Sequence, residues 1–344
     1  MDETKREMIG LSVQELERLC ADLGYREFHG RQIFHWLYTK LAASFESMTD
    51  LPASLRERLE QEFTIGLLTP SVTRVSRRED AVKHALTLRD GAAIEAVVLF
   101  DSNRKASFCV SSQVGCPVGC LFCATGKMGL LRDLSAVEIV EEALSLIKLH
   151  GRPDSVLFMG MGEPLLNYEN VTRAIGFLGE IDIGARKITV STCGIVQGIR
   201  RLAASGLKVR LALSMGSAIE EKRRSLIPTA GSNPISELSK ALVEYRQKSG
   251  RRVSIEFTLI EGLNDGDDDA DALARFAGAT RAHVNIIRLN KIEGTRLRSP
   301  ATGKVDRFKE LLVSRGITVS ERYRKGADIQ GACGQLLWPA ASGS

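Results

Sequence analysis

Three cysteines within eight residues, Cys116, Cys120 and Cys123, constrain this chain more than any other feature. The segment runs Gly115-Cys116-Pro117-Val118-Gly119-Cys120-Leu121-Phe122-Cys123, a gap of three residues and then two. Three thiolates on so short a stretch supply three corners of a metal centre and cannot close a four-cornered one. Structural zinc sites use four protein ligands, usually as two short pairs. No second CxxC or HxxxH pair occurs, and His29, His35, His84, His150 and His283 lie away from the array without ligand spacing. A site one ligand short leaves a metal open to something exogenous, which points to chemistry rather than to a structural clip.

The remainder of the chain sets bounds. Its 344 residues, 44% of them hydrophobic, suffice for one large domain and a smaller one. No apolar run reaches the ~18 residues of a membrane span. The charged start, Met1-Asp2-Glu3-Thr4-Lys5-Arg6, has no apolar signal region. A cytoplasmic location is therefore expected. Seven cysteines, an odd number, suit metal or redox work in a reducing compartment better than a disulfide framework. The net charge of +5 is unevenly spread. Residues 1–70 are acidic overall. Basic clusters follow at Arg74 with Arg77-Arg78, Arg186-Lys187, Arg200-Arg201, Lys222-Arg223-Arg224, Arg251-Arg252 and Arg322-Tyr323-Arg324-Lys325. Such clusters attract a phosphate backbone, although any single one reads first as a solvated basic surface.

Residues 11–63 show helical spacing, with Leu16, Leu19 and Leu23 and then Ile33, Phe34, Trp36 and Leu37 recurring between polar residues. They suggest a small helical N-terminal domain over residues 1–68. Lys83–Leu88 and Ile94–Phe100, around Arg89-Asp90-Gly91, read as a β-hairpin within a linker region, residues 69–106. From residue 107 to 340 strands and helices alternate. Six β-prone runs, Phe108–Val110, Val156–Met159, Ile188–Val190, Val209–Leu213, Val253–Leu259 and Val284–Leu289, are separated by helical stretches. The first of these opens on a capping box, Ser135 to Glu138. Six βα units predict an α/β fold, an open six-unit partial barrel with a lateral mouth and its chemistry at the C-terminal strand ends.

The cysteine array follows the first of those strands. Its spacing, with Phe122 before the last cysteine, resembles the cluster loop of the radical S-adenosylmethionine (radical-SAM) superfamily. Taken with Cys109–Cys116, Met159–Leu165 and Ala332-Cys333-Gly334-Gln335-Leu336, the chain resembles the radical-SAM adenine-C2 methyltransferases of 23S ribosomal and transfer RNA, from about residue 10 to residue 337. Val114 and Pro164 are more similar to this branch than to its relatives that methylate adenine C8.

The resemblance implies two cofactors, a [4Fe–4S] cluster and S-adenosylmethionine. Cys116, Cys120 and Cys123 match the cluster ligands. Gly162 and Glu163, Ser191, Ser214, Met215, Gly216 and Asn290 match the S-adenosylmethionine contacts. Cys333 matches a cysteine that carries the methyl group, Cys109 one that resolves a protein–RNA adduct, and Glu95 an acid that accepts a proton. Further expectations are an RNA partner, an electron donor such as flavodoxin, no membrane association and a monomeric state. Cys20 and Cys193 match no role and read as structural.

Several positions depart from the family pattern. Ser214-Met215-Gly216 stands for a usual Ser-Leu-His, Asn290-Lys291 for Asn-Pro, Gln330-Gly331 for a segment in which Asp is common, and Leu337-Trp338 for Ala-Gly. Phe100-Asp101 replaces a Pro-containing turn. Two alternatives stay open at this level: C8 methylation by the same apparatus, and a non-catalytic RNA-binding protein with a structural cluster.

Overall fold

The computed structural model describes residues 5–322 and 324–336. The departures at Leu337 and Trp338, and the end of the expected barrel domain, lie outside the described residues.

The N-terminal unit has three helices, α1 (Val13–Asp22), α2 (Phe28–Tyr38) and α3 (Ala53–Glu62). Ser12 caps α1 reciprocally: its N–H donates to Glu15 Oε2 at 2.8 Å, and the Glu15 N–H donates to Ser12 Oγ at 3.3 Å, so two otherwise orphaned donors are satisfied. Gly30 lets α2 lie on the backbone of α1, because a Cβ there would overlap Glu17. Two short strands, Arg6–Glu7 and Phe63–Thr64, pair in parallel where the chain enters and leaves the unit. Tyr38 joins this unit to the larger domain. Its ring stands 4.8 Å from that of Phe177, and its hydroxyl accepts from the Gly10 N–H at 2.8 Å.

One ten-stranded sheet forms the rest: β1 (Pro70–Val75), β2 (Ala81–Thr87), β3 (Ala93–Phe100), β4 (Ala106–Cys109), β5 (Ser155–Phe158), β6 (Ile188–Thr192), β7 (Arg210–Ser214), β8 (Val253–Leu259), β9 (His283–Arg288) and β10 (Val319–Glu321). Every strand lies beside its chain neighbours. β1 to β4 run antiparallel and β4 to β10 parallel. All six expected parallel strands are present, and β10 adds a seventh. It is only three residues long, one half-buried and two exposed, so it leaves no apolar run in the sequence. The expected hairpin forms, β2 pairing antiparallel with β3, and joins the sheet. β3 pairs with β4, Val97 opposite Cys109, and extends the parallel sheet by three strands.

Parallel strands need crossovers, and helices such as α4 (Ala136–His150) supply them. The capping box at its start forms as expected, with the Ser135 N–H donating to Glu138 Oε2 at 2.8 Å. The apolar faces of helices and sheet share one continuous core. The sheet stays open, with β1 and β10 at its two edges, which makes the domain a partial barrel. The C-terminal ends of β4 to β9 gather at one end, where the loops carry chemistry in folds of this class. Among the described residues no helix is long and apolar enough to cross a membrane.

Candidate active site

The cysteine loop leaves β4 through a two-stranded ribbon, Gln113–Gly115 with Leu130–Asp133. Gly115 has φ +81°, and a Cβ there would overlap the Gly129 carbonyl oxygen, so the tight start of the loop requires glycine. The Cys116 N–H donates to Gly129 O at 2.7 Å, and the Leu121 N–H to Leu226 O at 3.0 Å. Held in this way, Cys116, Cys120 and Cys123 line one cavity of about 160 Å³ together with Gly162, Glu163, Ser191, Ser214 and Asn290. Burial pushes the Cys116 thiol up to about 12. It pushes Cys120 well above the ordinary thiol range, with Cys123 and Cys116 adding to the effect. Thiols so placed become thiolates when a cation takes the proton's place.

Glu163 ties two strand ends together. It is 3% exposed. Oε2 accepts from the Cys193 N–H at 2.7 Å and Oε1 from the Leu165 N–H at 3.0 Å. Burial nevertheless holds its carboxyl above the usual carboxylate range. The Thr192 and Cys193 side chains also hydrogen-bond this carboxylate and oppose that rise. Ser191 Oγ and Ser214 Oγ lie 3.3 Å apart on β6 and β7. Asn290, after β9, donates from Nδ2 to the Cys333 carbonyl at 3.0 Å. Its buried Oδ1 has no hydrogen-bond partner among the described residues.

A second cavity, about 330 Å³, adjoins the first. Cys109, at the end of β4, lines it, and so does Cys333. Cys333 also lines the cluster cavity, as do Met159, Ile287, Asn290 and Arg322. The segment carrying Cys333 is fixed from two sides. The Ala124 N–H donates to Gly334 O at 2.7 Å, and Gln335 Nε2 donates to the Lys291 carbonyl at 2.9 Å. Cys109 is buried, and that burial, with the nearby Cys333 adding to it, pushes its thiol up to about 12. Cys333 is exposed on the cavity wall. Its thiol is also raised by the surrounding protein, against the opposing pull of the Arg322 guanidinium.

Three sequence-derived candidates sit apart from this lining. Met215 is fully buried in the core, because strand alternation turns Ser214 toward the cavity and the next side chain away. Gly216 makes a left-handed turn with φ +70°, and a Cβ there would stand 2.9 Å from Ile227 Cδ1. The histidine usual at this position therefore does not fit without movement. Glu95 is 3% exposed and pairs with buried Lys83 at 2.8 Å. It lies on the same face of β3 as Val97 and Leu99, both of which line the second cavity.

Other site residues were misread or missed in the sequence. Cys193, read as structural, lines the cluster cavity. Arg223, placed in a surface basic cluster, is fully buried and donates from Nη2 to Cys193 O at 2.9 Å. Glu256 lines the cluster cavity and pairs with Arg322 at 3.3 Å. The strict alternation Val253-Ser254-Ile255-Glu256-Phe257-Thr258-Leu259 carried the signal for Glu256, since alternation places its polar residues on one face. Nothing local marked Cys193 or Arg223.

The residues present fit an iron–sulfur cluster and its organic ligand. Among the described residues no three His, Cys, Asp or Glu side chains converge as they would on a single metal ion. Three thiols sharing one cavity suit a cluster that takes one thiolate per iron. The orphaned acceptor of Asn290 and the carboxylate of Glu163 line the same cavity and suit an amino-acid ammonium group.

Comparison with known proteins agrees with this geometry. Residues 6–65 match the ribosomal RNA large subunit methyltransferase N-terminal domain, and residues 110–277 the radical SAM superfamily. A probable dual-specificity RNA methyltransferase RlmN of Symbiobacterium thermophilum is 42% identical over 95% of this chain and 90% of its own length. One of the same name from Thermotoga neapolitana is 40% identical over 96% and 97%. The crystal structure of a radical SAM methyltransferase from Sphaerobacter thermophilus superposes with a TM-score of 0.91 at 40% identity, covering 96% of this chain and 98% of that one.

Proposed function

We propose that this chain, which belongs to the RlmN family of radical-SAM RNA methyltransferases, places a methyl group on C2 of an adenosine in 23S rRNA, tRNA or both, with Cys333 as the methyl carrier. The observation that carries this reading is the position of Cys333 in the wall shared by two cavities, one holding the three cluster cysteines and the other Cys109.

Cys116, Cys120 and Cys123 hold the [4Fe–4S] cluster, while Gly162, Glu163, Ser191, Ser214 and Asn290 hold S-adenosylmethionine. When bound, the two together supply the organic radical that activates a methyl group. The chain's own residues then divide the work. Cys333 presents its methylated sulfur from the shared wall. Once the methyl-derived carbon has bonded to C2 of the base, Glu95 takes the C2 proton and the odd electron left on the adduct passes to a one-electron acceptor; the place of Glu95 on the cavity face of β3 supports this role. Cys109 attacks the Cys333 sulfur, forming an S–S bond and breaking the bond from that sulfur to the methyl-derived carbon. The electron pair of the broken bond goes to that carbon, which takes up a proton, and the methylated RNA leaves. Reduction of the disulfide restores both thiols. The same reading implies an external one-electron donor such as a flavodoxin, and action as a monomer in the cytoplasm.

Mass spectrometry of ribosomal and transfer RNA from a deletion strain tests this. Loss of 2-methyladenosine is expected. Loss of 8-methyladenosine with 2-methyladenosine retained would overturn the regiochemistry.

A further inference from the structure

The two edges of the open sheet meet at a groove of about 700 Å³. The β1–β2 turn brings Arg77 and Arg78 to one side; the segment following β10 brings Arg322 and Arg324 to the other, and Arg288 stands at the end of β9. The sides are bound together. The Arg77 N–H donates to Asp328 Oδ2 at 2.8 Å, and Lys325 Nζ donates to the Phe100 carbonyl at 2.6 Å. Two basic clusters from distant parts of the sequence therefore line one groove. The groove also opens inward, because Glu321, Arg322 and Arg324 line both it and the cavity that holds Cys109 and Cys333.

More cationic than anionic side chains line the groove. Five arginines line it against three carboxylates; of these arginines, Arg288 pairs with Glu321 at 2.6 Å and Arg322 with Glu256 at 3.3 Å. Asp80 accepts from Ser76 Oγ at 2.8 Å, Asp328 from the Arg77 backbone, and Glu321 from Arg288 and Lys309 at 2.6 and 2.7 Å. Arg324 is held by the neutral Leu289 carbonyl and Ser299 hydroxyl at 2.9 and 3.0 Å, contacts that fix its head without neutralising it. Arg77 and Arg78 are exposed at the outer lip. Fixed guanidinium heads suit phosphate oxygens, which they bind in a forked geometry.

We propose that this seam groove binds the sugar–phosphate backbone of the RNA strand beside the target adenosine. The phosphates lie on the arginines while the unstacked base passes inward, by way of Arg322, to the two cysteines. The inference rests on the RNA methyltransferase reading above and adds the path by which RNA approaches the site.

The test measures binding of a fluorescein-labelled RNA stem-loop, with unpaired adenosines in its loop, to the full-length protein by anisotropy over a series of salt concentrations. Arg77→Gln with Arg78→Gln is expected to weaken binding roughly tenfold or more near 0.1 M salt and to flatten the log–log salt slope by about 1.4, the value for two lost single-strand phosphate contacts. Arg77→Lys with Arg78→Lys, which keeps the charge, should recover most of that slope. Arg251→Gln with Arg252→Gln removes the same charge at the N-terminal end of β8, the end of the strand away from the site, and should leave the slope near that of the wild type. Thermal melting confirms that the variants fold. Equal losses in the two glutamine pairs, or no loss in the Arg77/Arg78 pair while the wild type binds, would overturn the groove alone. Failure of the wild-type protein to bind the RNA would overturn the groove together with the reading beneath it.

Discussion

The two adjoining cavities are built in different ways. The three cysteines of the cluster cavity come from eight consecutive residues, with their spacing and a left-handed glycine already in the chain. The cavity of Cys109 and Cys333 joins the end of β4 to a segment beyond β10, at the other edge of the parallel strands. A local array has its ligands adjacent before the chain folds, whereas a pair drawn from two remote segments exists only when the sheet has closed most of its arc. The first arrangement suits permanent ligands and the second suits partners that must meet, react and separate.

That contrast can be broken most sharply with cysteine variants. Cys120→Ala should abolish methylation and cluster retention together, read as iron and sulfide content after anaerobic reconstitution. Cys109→Ala should leave iron content unchanged and trap a covalent protein–RNA species, seen as a shifted band on a denaturing gel. Should Cys109→Ala lose iron as well, the two cavities would not be separable units.

A second test concerns thiol reactivity in protein without its cluster. With its pKa raised from about 9 to about 12, Cys109 is protonated in the fold more than in the open chain. The stability that this gives is complete below pH 9 and declines as the pH rises from 9 toward 12. At pH 8 its alkylation by iodoacetamide should be roughly a hundred to a thousand times slower than that of an unfolded cysteine peptide. Peptide mass spectrometry measures this, and a rate equal to the unfolded one would show that Cys109 is not shielded as described.

Glu163→Gln probes the cluster cavity's wall with the smallest change. Both carboxylate oxygens accept backbone N–H groups, and the amide sets a donor against one of them. A buried donor left unmatched costs about 1–3 kcal/mol, so melting should fall by a few degrees. A variant as stable as the wild type would mean that Glu163 does not brace the ends of β5 and β6.

Legibility in the sequence followed the range of the interactions. The six parallel strands, the Ser135–Glu138 cap and the cysteine loop were readable because each depends on neighbours a few residues away. β10 was missed because three residues at a sheet edge carry no pattern. The resemblance supplied Cys109 and Cys333 as a pair, and the structure places both on one cavity. It also offered Met215 and Gly216 as contacts, but a buried side chain and a left-handed turn set these apart from the lining. Arg223 and Arg322 had looked like surface charge. Their partners, Cys193 and Glu256, lie far off in the chain, so no local window could have shown them.

By itself the sequence determined a cluster of three thiolates with one open corner, on a loop after a parallel strand, because ligand number and spacing are properties of adjacent residues. Only the tertiary structure decided that Cys333 would stand between that loop and Cys109, and that two arginine clusters would close over the seam of the sheet. Both depend on where an open, twisted sheet brings its two edges, and that is settled by the packing of all ten strands together.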